Sequence, residues 1–374
     1  MNMNYMSKKT KSVNNVSVSE WDIMKGIGTL GLPFVHVIET FLLCNQISDD
    51  NMMFCNGVIA LTVFGPSIFM ISMGMKLQKN DNSKMLIRNG RNMLFIAIIL
   101  NVLRSVIPSI IVYYVAGSSI DRIVSFLFLS DIYLFVGFFY LLLGLFRKVK
   151  IPLIGIIIAS ILMLTLNCLL GGLFITRIET VNAIIGNIIY VDDGSFFPLL
   201  SWTIYPVLGM LIEKVCENKT QKEIDKICIH TLWISVVILI VAVTALYYTG
   251  NNPVQIAVSQ LNENITGPLN IVLVLCINMI VIILLRFFNR IIPAKKIKQY
   301  LGWLSTNLMC FYLVQWCIVT LICYGIAAIL EINEKTAGIS LMMVVAFIVE
   351  VLTIMIVRKF GFAIIKFIFK VVRI

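Results

Sequence analysis

Long apolar runs, separated by short polar connections, cover nearly the whole chain after residue 25. A bilayer-spanning helix needs about 20 predominantly apolar residues, and ten runs approach or reach this length. The predicted spans are 26–43, 57–77, 92–116, 123–146, 151–175, 197–213, 229–248, 268–288, 307–329 and 339–357. The pattern therefore predicts an all-α, polytopic membrane protein with about ten transmembrane helices.

Basic residues fall almost entirely on alternate connections between the predicted spans. One side holds 26 of the 30 lysines and arginines, and the other side holds only Arg122, Arg177 and Lys335. The basic side comprises the N-terminal stretch and segments 76–91, 147–150, 214–226, 286–298 and 358–373. Connections rich in lysine and arginine stay in the cytoplasm. We therefore predict a multi-pass plasma-membrane protein with both termini in the cytoplasm.

Composition excludes most other classes of protein. Hydrophobic residues make up 59% of the chain and charged residues 13%, with a mean hydropathy of +0.96, whereas soluble domains carry about 25% charged residues. The net charge of +11 then reflects orientation and contact with anionic lipid rather than nucleic-acid binding. Residues 1–20 are predicted to be a disordered cytoplasmic tail, 21–358 one ten-helix domain and 359–374 a basic, amphipathic interfacial tail.

A few ionisable side chains lie inside predicted spans, where each is costly and is a candidate for function. His36 and Arg104 both lie about 15–18 Å from the cytoplasmic surface, at 1.5 Å per residue, so they can share one depth. Glu39 follows His36 on nearly the same helix face. A buried arginine keeps its charge. Arg104 therefore either locks the bundle by pairing with Glu39, Asp131 or Glu350, or belongs to a functional site; His36 is either a satisfied neutral imidazole or a chemical group of that site.

The first predicted span and its entry resemble those of a known family. Trp21–Gly28, with His36 fourteen residues after Asp22, is similar to the start of integral-membrane acyltransferases. In that family an Asp-x-x-Arg-Gly-Ile pattern enters the first helix, which carries a histidine at this distance. The segment from Asn101 to Arg104 resembles an Asn-x-x-Arg element of the same family.

Three further segments extend the resemblance along the chain. Segment 56–74, which begins Asn-Gly and ends in Pro66–Gly74, is similar to the second helix of the heparan-α-glucosaminide N-acetyltransferase-like branch. Phe196–Trp202, leading to Gly209, resembles the Phe-Pro-x-x-x-Trp element of that branch. Segment 301–315 is similar to a Gly-x-x-Ser element followed by a position where a histidine is common. Four matches in order identify the chain as a member of the acyltransferase family 3 and heparan-type superfamily.

Three positions depart from the family pattern. Lys25 stands where an arginine is usual, and Gln315 stands where a histidine is common. Met52 lies near the place where heparan-type enzymes keep a histidine on the outer side. His36, approached from the cytoplasmic half, is therefore the remaining candidate for the chemistry.

The resemblance implies a transfer reaction. It implies that acyl-CoA, with acetyl-CoA favoured, donates an acyl group from the cytoplasm to a hydroxyl or amine of a sugar or cell-surface polymer, without a metal. Lys25, Lys76, Arg88 and Arg91 are candidates to bind the donor's phosphates, or else form a solvated, orientation-setting face. Gly74 permits close backbone approach, either by a threaded pantetheine arm or by a neighbouring helix.

We hypothesise that His36 is the general base, with Glu39 or a backbone carbonyl fixing its tautomer. Arg104 would stabilise the developing oxyanion or anchor the donor. An alternative is a proton-coupled transporter or flippase of a small or lipid-linked substrate, using His36, Glu39 and Glu350. The absence of an inverted repeat disfavours it. An inactive membrane scaffold is a third possibility.

Overall fold

The computed structural model describes residues 19–44, 46–62, 64–110, 123–191, 195–248, 268–291, 295–332 and 336–371. Within these ranges the chain is helical, with no β-strand, which confirms the all-α prediction. The helices are α1 (Glu20–Leu43), α2 (Asp49–Thr62), α3 (Phe64–Gln78), α4 (Ser83–Asn101), α5 (Ile123–Leu127), α6 (Ile132–Lys148), α7 (Leu153–Leu170), α8 (Glu179–Gly186), α9 (Leu199–Trp202), α10 (Ile204–Cys216), α11 (Gln221–Tyr248), α12 (Pro268–Ile291), α13 (Lys295–Ile332) and α14 (Ile339–Val371). Most of the predicted N-terminal tail, Arg122 and Lys335 lie outside the described residues.

Seven helical segments of the described chain are long and apolar enough to cross a membrane. They are Ser83–Ile110, Leu153–Leu170, Leu199–Cys216, Gln221–Thr244, Ile271–Arg290, Lys295–Ala327 and Ile339–Ile364. In the best apolar window of Gln221–Thr244 only 11% of the residues are buried. Outward-facing apolar surface of this extent fits contact with lipid, so the chain is a multi-pass membrane protein. The count of ten and the orientation stay predictions.

The predicted span 123–146 is not one continuous helix. Residues 128–131 interrupt it, so α5 ends at Leu127 and α6 begins at Ile132. Asp131 terminates the break as the N-cap of α6, since its Oδ1 accepts a hydrogen bond from the Tyr133 amide at 2.8 Å. Polar side chains of α4 and the turn that follows it bind the carbonyls of the break. The backbone carbonyls freed by this interruption are thereby hydrogen-bonded inside the protein. Hydrophobicity alone does not reveal the interruption.

The last predicted span and the described part of the predicted interfacial tail form one helix. α14 continues past Arg358 to Val371 without interruption. The Arg358 guanidinium lies 5.4 Å from the ring centroid of Trp303 and 5.7 Å from that of Tyr300. The end of the predicted ten-helix domain, just before the tail, therefore packs against the first turns of α13.

Ion pairs bring many of the basic helix ends together. Arg286 of α12 bonds Glu20 of α1 at 2.7 Å and Asp225 of α11 at 3.0 Å. Lys79, after α3, pairs with Glu213 of α10 at 2.6 Å. Because these residues lie at the start of α1 and α11 and the end of α3, α10 and α12, those helix ends meet on one side. We call this side of the bundle the basic end.

Two glycines set a close crossing of α3 and α10. A Cβ built on Gly209 would lie 1.9 Å from the carbonyl oxygen of Ile71, and one on Gly74 would lie 1.9 Å from that of Pro206. Only glycine leaves room for backbones at this separation. The close approach allowed by Gly74 is therefore made to a neighbouring helix.

We expect Gly209→Ala to destabilise the protein, because the added methyl group meets backbone that has to move. Overpacking of this kind costs about 1–3 kcal/mol. The measurement is the thermal unfolding midpoint in detergent. Gly28→Ala is the matched control, since a Cβ at Gly28 meets nothing within 4 Å. Equal midpoints for the two variants would contradict the close crossing.

Candidate functional site

The site is built between two parallel helices, α1 and α13. Ser305 of α13 donates a hydrogen bond to Asp22 near the start of α1, and Gln315, further along α13, meets His36, further along α1. Both helices therefore run away from the basic end side by side. His36 is 6% exposed and lies in the apolar interior that these helices share with α4 and α6.

Three side chains from one face of α13 surround the imidazole. Gln315 Nε2 lies 3.0 Å from His36 Nδ1. The Trp316 indole stacks on the imidazole at 4.2 Å between centroids and 24° between planes, and the Tyr312 ring meets it edge-on at 5.3 Å. Positions 312, 315 and 316 share a face because residues three and four apart are neighbours on a helix. The histidine is thus held in place on several sides.

Arg104 lies on a π-helical turn, Val102–Val106, that follows α4. Such turns are rare and frequently occur at functional sites. Arg104 is 9% exposed, and its guanidinium lies 5.0 Å from the Trp316 ring centroid. Its Nε donates to the Asn101 side chain at 3.0 Å, and Nη2 donates to the Ser130 carbonyl at 3.3 Å. The same indole therefore contacts both Arg104 and His36.

Asp131 is the carboxylate that balances the buried arginine. Its Oδ2 lies 2.9 Å from Arg104 Nη1 and accepts a hydrogen bond from the Tyr312 hydroxyl at 2.8 Å. Of the three carboxylates considered as partners, Asp131 is the one that forms the ion pair. This ion pair supports the hypothesis that Arg104 locks the helix bundle. The guanidinium still has N–H groups beyond the three that these described bonds use. We call His36, Arg104, Asp131, Tyr312, Gln315 and Trp316 the central cluster.

Glu39 and Glu350 lie in different places relative to this cluster. Glu39 is half-buried and within electrostatic range of Arg104 and Asp131, but it makes none of the described hydrogen bonds or ion pairs. The position against His36 Nδ1 that the sequence assigned to Glu39 or a carbonyl is occupied by Gln315. Glu350 instead interacts with Tyr300, about 18 Å along α13 from Tyr312. Glu39 therefore borders the cluster and Glu350 does not.

Two lysines meet at the entrance to α1. Lys25 is 7% exposed, lies 3.1 Å from Asp22, and is close enough to the Lys76 ammonium to be repelled by it. Asp22 is shared, since it also accepts hydrogen bonds from Ser19 and Ser305. Two ammonium groups beside one carboxylate leave a local excess of positive charge. Such a place attracts an anion.

The other predicted donor-binding residues are not part of this pair. Arg88 and Arg91 are exposed on α4, and none of the described contacts joins either of them to Lys25. Within the described ranges, no cluster of three or more histidine, cysteine or acidic side chains is arranged to hold a metal.

A polar cavity of about 370 Å³ lies elsewhere at the basic end and contains none of the predicted site residues. It is lined by Gln78, Lys79, Asp81, Arg147, Glu213, Lys214 and Glu217. Its charges are largely compensated in pairs: the Glu213 carboxylate raises the pKa of Lys79, and a hydrogen bond from Lys214 lowers the pKa of Glu217. The Lys25–Lys76 pair is therefore the stronger candidate for an anion.

The chain matches a known protein family over most of its length. The family model described as an acyltransferase domain, Acyl_transf_3, matches residues 18–357, which is most of the chain. The chain belongs to acyltransferase family 3. This confirms the family resemblance, and it shows a membrane acyltransferase in general terms. No curated protein and no solved structure gives a match.

The segments that resemble family motifs contact one another in this acyltransferase family 3 chain. Asp22 of the first segment binds Ser305 of the last. Gly74 and Gly209, from the second and third segments, form the α3–α10 crossing. Motifs far apart in sequence thus form one packed unit around α1.

Sequence reasoning did not identify the full central cluster of this acyltransferase. Asp131 was visible as an intramembrane carboxylate, and Gln315 as a departure from the family. Trp316 and Tyr312 gave no separate signal because aromatic side chains are common in apolar helices. Tyr312 lies about one helical turn before Gln315 and Trp316 directly follows it, and these positions would have supplied a signal, had the partner of His36 been known.

Proposed function

We propose that the protein transfers an acyl group from acyl-CoA, with acetyl-CoA favoured, to a hydroxyl or amine of a sugar or cell-surface polymer. The observation that carries the proposal is the buried imidazole of His36 on α1, which shares the Trp316 indole with the paired Arg104. Two adjacent lysines, Lys25 and Lys76, lie at the entrance to the same helix. The family assignment supplies the reaction class. The donor, acyl chain and acceptor are proposed.

The donor enters at the basic end. We place this end on the cytoplasmic side of the plasma membrane, because cytoplasmic connections are rich in lysine and arginine. Lys25 and Lys76 bind its phosphates as point charges. Arg88 and Arg91, exposed on α4, attract the anionic donor at longer range. Lys25 lies about 16 Å from His36 along α1, so the acyl thioester must reach inward from the phosphate site to the imidazole.

His36 then acts as general base. The imidazole removes the proton from the acceptor hydroxyl as the hydroxyl oxygen attacks the thioester carbonyl carbon. The carbon–sulfur bond breaks, and the proton passes from the imidazolium to the departing CoA thiolate. The remaining N–H groups of Arg104 donate to the carbonyl oxygen as it gains negative charge. Asp131 keeps the guanidinium in position.

Gln315 sets the tautomer that this step requires. A base acting through Nε2 carries its proton on Nδ1, so Nδ1 needs a hydrogen-bond acceptor. Gln315 supplies Oε1 in place of Nε2 by a half-turn of its amide, which changes neither its volume nor its position. Gln315 is therefore a positioning residue, in the place first given to Glu39. Glu39 remains beside the cluster, within electrostatic range of Arg104 and Asp131.

We expect the double variant Lys25→Met, Lys76→Met to raise the KM for acyl-CoA. A charge-assisted hydrogen bond contributes about 1.5–3 kcal/mol, so loss of the two ammonium groups corresponds to at least a tenfold increase. The measurement is steady-state CoA release with purified protein. Since both residues act on donor binding, kcat falls less than kcat/KM.

Lys84→Met is the matched control, because Lys84 is an exposed lysine of α4 and makes none of the described ion pairs. It should leave the KM for the donor within twofold of the original. An unchanged KM in the Lys25, Lys76 variant would remove the donor site from this entrance.

A further inference from the structure

Asn101 is a fully buried polar residue beside Arg104 that the proposed reaction does not use. It is the last residue of α4 and is 0% exposed. Its Oδ1 accepts a hydrogen bond from Arg104 Nε at 3.0 Å, and its Nδ2 donates to the carbonyls of Leu127 and Leu129 at 3.0 and 2.9 Å. Both N–H groups of the amide and its oxygen are therefore bonded. A half-turn of the amide would place its oxygen against two carbonyl oxygens, so its orientation is fixed.

The carbonyls of the break between α5 and α6 form a frame for Asn101 and Arg104. Each of four consecutive carbonyls accepts a hydrogen bond from a side chain: Leu127 and Leu129 from Asn101, Phe128 from Asn187, and Ser130 from Arg104. The Ser130 hydroxyl also accepts one from the Phe197 amide at 3.0 Å. Carbonyls at the end of a helix have no partner within it, so these side chains hold the break in one geometry. Asn101 connects that geometry to the arginine.

The guanidinium of Arg104 is held by three acceptors that differ in what they contribute. Asp131 pairs with Nη1 at 2.9 Å and supplies the balancing charge, and the Ser130 carbonyl accepts from Nη2 at 3.3 Å. Asn101 is the acceptor for Nε, the nitrogen that joins the guanidinium to the rest of the side chain. Without Asn101 the ion pair can persist, while the guanidinium plane is free to turn about its contacts with Asp131 and Ser130. Asn101 thus fixes the direction of the guanidinium rather than its charge.

The direction of the guanidinium matters for the proposed reaction. The described bonds leave two N–H groups of Arg104, one on each terminal nitrogen, and these are the donors to the developing oxyanion. The guanidinium lies 5.0 Å from the Trp316 ring centroid, and the same indole stacks on His36. A displacement of about 1 Å at a reacting group can lower a rate about 100-fold. None of the described contacts joins Asn101 to His36 or to α13, so Asn101 reaches the reaction through Arg104.

We propose that Asn101 is a positioning residue for acyl transfer, which fixes the guanidinium of Arg104 against the α5–α6 break so that its two remaining N–H groups meet the reacting carbonyl oxygen. This inference rests on the proposed acyl transfer and on the oxyanion role of Arg104, and it adds the residue that directs the arginine. It also gives the break a function, because an interrupted helix presents carbonyls that a continuous helix would bond internally.

The first test measures CoA release from acetyl-CoA by purified full-length protein, with a mixture of methyl glucoside, methyl galactoside and methyl N-acetylglucosaminide as acceptors. Asn101→Ala should lower kcat about 10- to 100-fold. The KM for acetyl-CoA should change less than about twofold, because the proposed donor site lies at the entrance to α1. Asn167→Ala is the matched control, since Asn167 is 3% exposed and its Oδ1 accepts from the Tyr190 amide at 2.8 Å. It loses a comparable buried amide and should lower the unfolding midpoint while kcat stays near the wild-type value.

A double-mutant cycle separates positioning from a general loss of stability. Asn101→Ala is added to the Arg104→Gln, Asp131→Asn protein, from which both charges of the pair are removed together. If Asn101 acts through Arg104, Asn101→Ala lowers kcat in the wild-type protein and hardly changes it in this background. If Asn101→Ala does not fold, Asn101→Gln takes its place in the cycle. Its amide still offers donors to the carbonyls of the break, but one methylene farther from the backbone, so the contact with Arg104 Nε is displaced.

The outcomes separate this inference from the reaction itself. A loss of kcat that is absent from Asn167→Ala and vanishes without Arg104 supports the inference. Equal kcat values for Asn101→Ala and Asn167→Ala overturn it, as does the same fold-loss in both backgrounds of the cycle. Wild-type turnover in the Arg104→Gln, Asp131→Asn protein also overturns it, while acyl transfer at His36 stands. No CoA release by folded wild-type protein overturns the proposed function, and this inference with it.

Discussion

His36→Gln should lower kcat for acyl transfer about 100- to 10,000-fold, which is the range for loss of a general base. Glutamine fills part of the same space and can hydrogen-bond Gln315, so the α1–α13 contact is retained. The proposed donor site at Lys25 lies about 16 Å away along α1, and the KM for acyl-CoA should therefore stay close to the wild-type value. Steady-state CoA release measures both constants.

The control for this variant is His230→Gln. His230 lies exposed on α11, and its ring bonds the carbonyl of Lys226 in its own helix. That variant should keep wild-type turnover and a wild-type unfolding midpoint. A correctly folded His36→Gln protein with wild-type kcat would remove the imidazole from the chemistry.

Breaking the Arg104–Asp131 pair on one side should cost about 3–5 kcal/mol of stability, because the remaining charge is left buried and unpaired. Arg104→Gln and Asp131→Asn each test this through the thermal unfolding midpoint in detergent. Asparagine keeps one acceptor oxygen, which still caps α6, whereas its NH2 group replaces the oxygen that accepts from the Tyr312 hydroxyl. Most of the expected loss in both single variants comes from the unpaired charge, and Asp131→Asn also loses this hydrogen bond.

The double variant Arg104→Gln, Asp131→Asn separates a structural arginine from a catalytic one. It removes both charges of the pair together, and most of the lost stability should return. If Arg104 also stabilises the oxyanion, turnover stays about 100- to 1,000-fold low in this folded protein. Recovery of turnover along with stability would limit Arg104 to locking the bundle.

The sequence predicted the helical membrane class because apolar runs of span length have a direct physical cause, the thickness of the bilayer. It also brought His36 and Arg104 to one depth, since helical rise converts residue number into distance. The structure joins them through Trp316. Sequence spacing gives depth but not rotation about the helix axis, and the π-helical turn at Val102–Val106 changes that rotation for Arg104.

The partners of these residues were harder to predict. Asp131 was placed in a continuous helix, although it ends a break whose carbonyls bind α4 side chains. Helix-breaking of this kind depends on tertiary hydrogen bonds and leaves the hydrophobic pattern unchanged. Gln315 looked like the loss of a family histidine, and its contact with His36 depends on the register of α1 against α13. Pairing between helices is the step that one sequence does not supply.

The most direct measurement of the central claim is the ratio of CoA released to glycoside acetylated by purified wild-type protein, in parallel with His36→Gln. Acyl transfer at His36 predicts one CoA thiol per acetylated hydroxyl, with both products lost together in the variant. No CoA release from acyl-CoA by the folded wild-type protein, or the same release by His36→Gln, would contradict it.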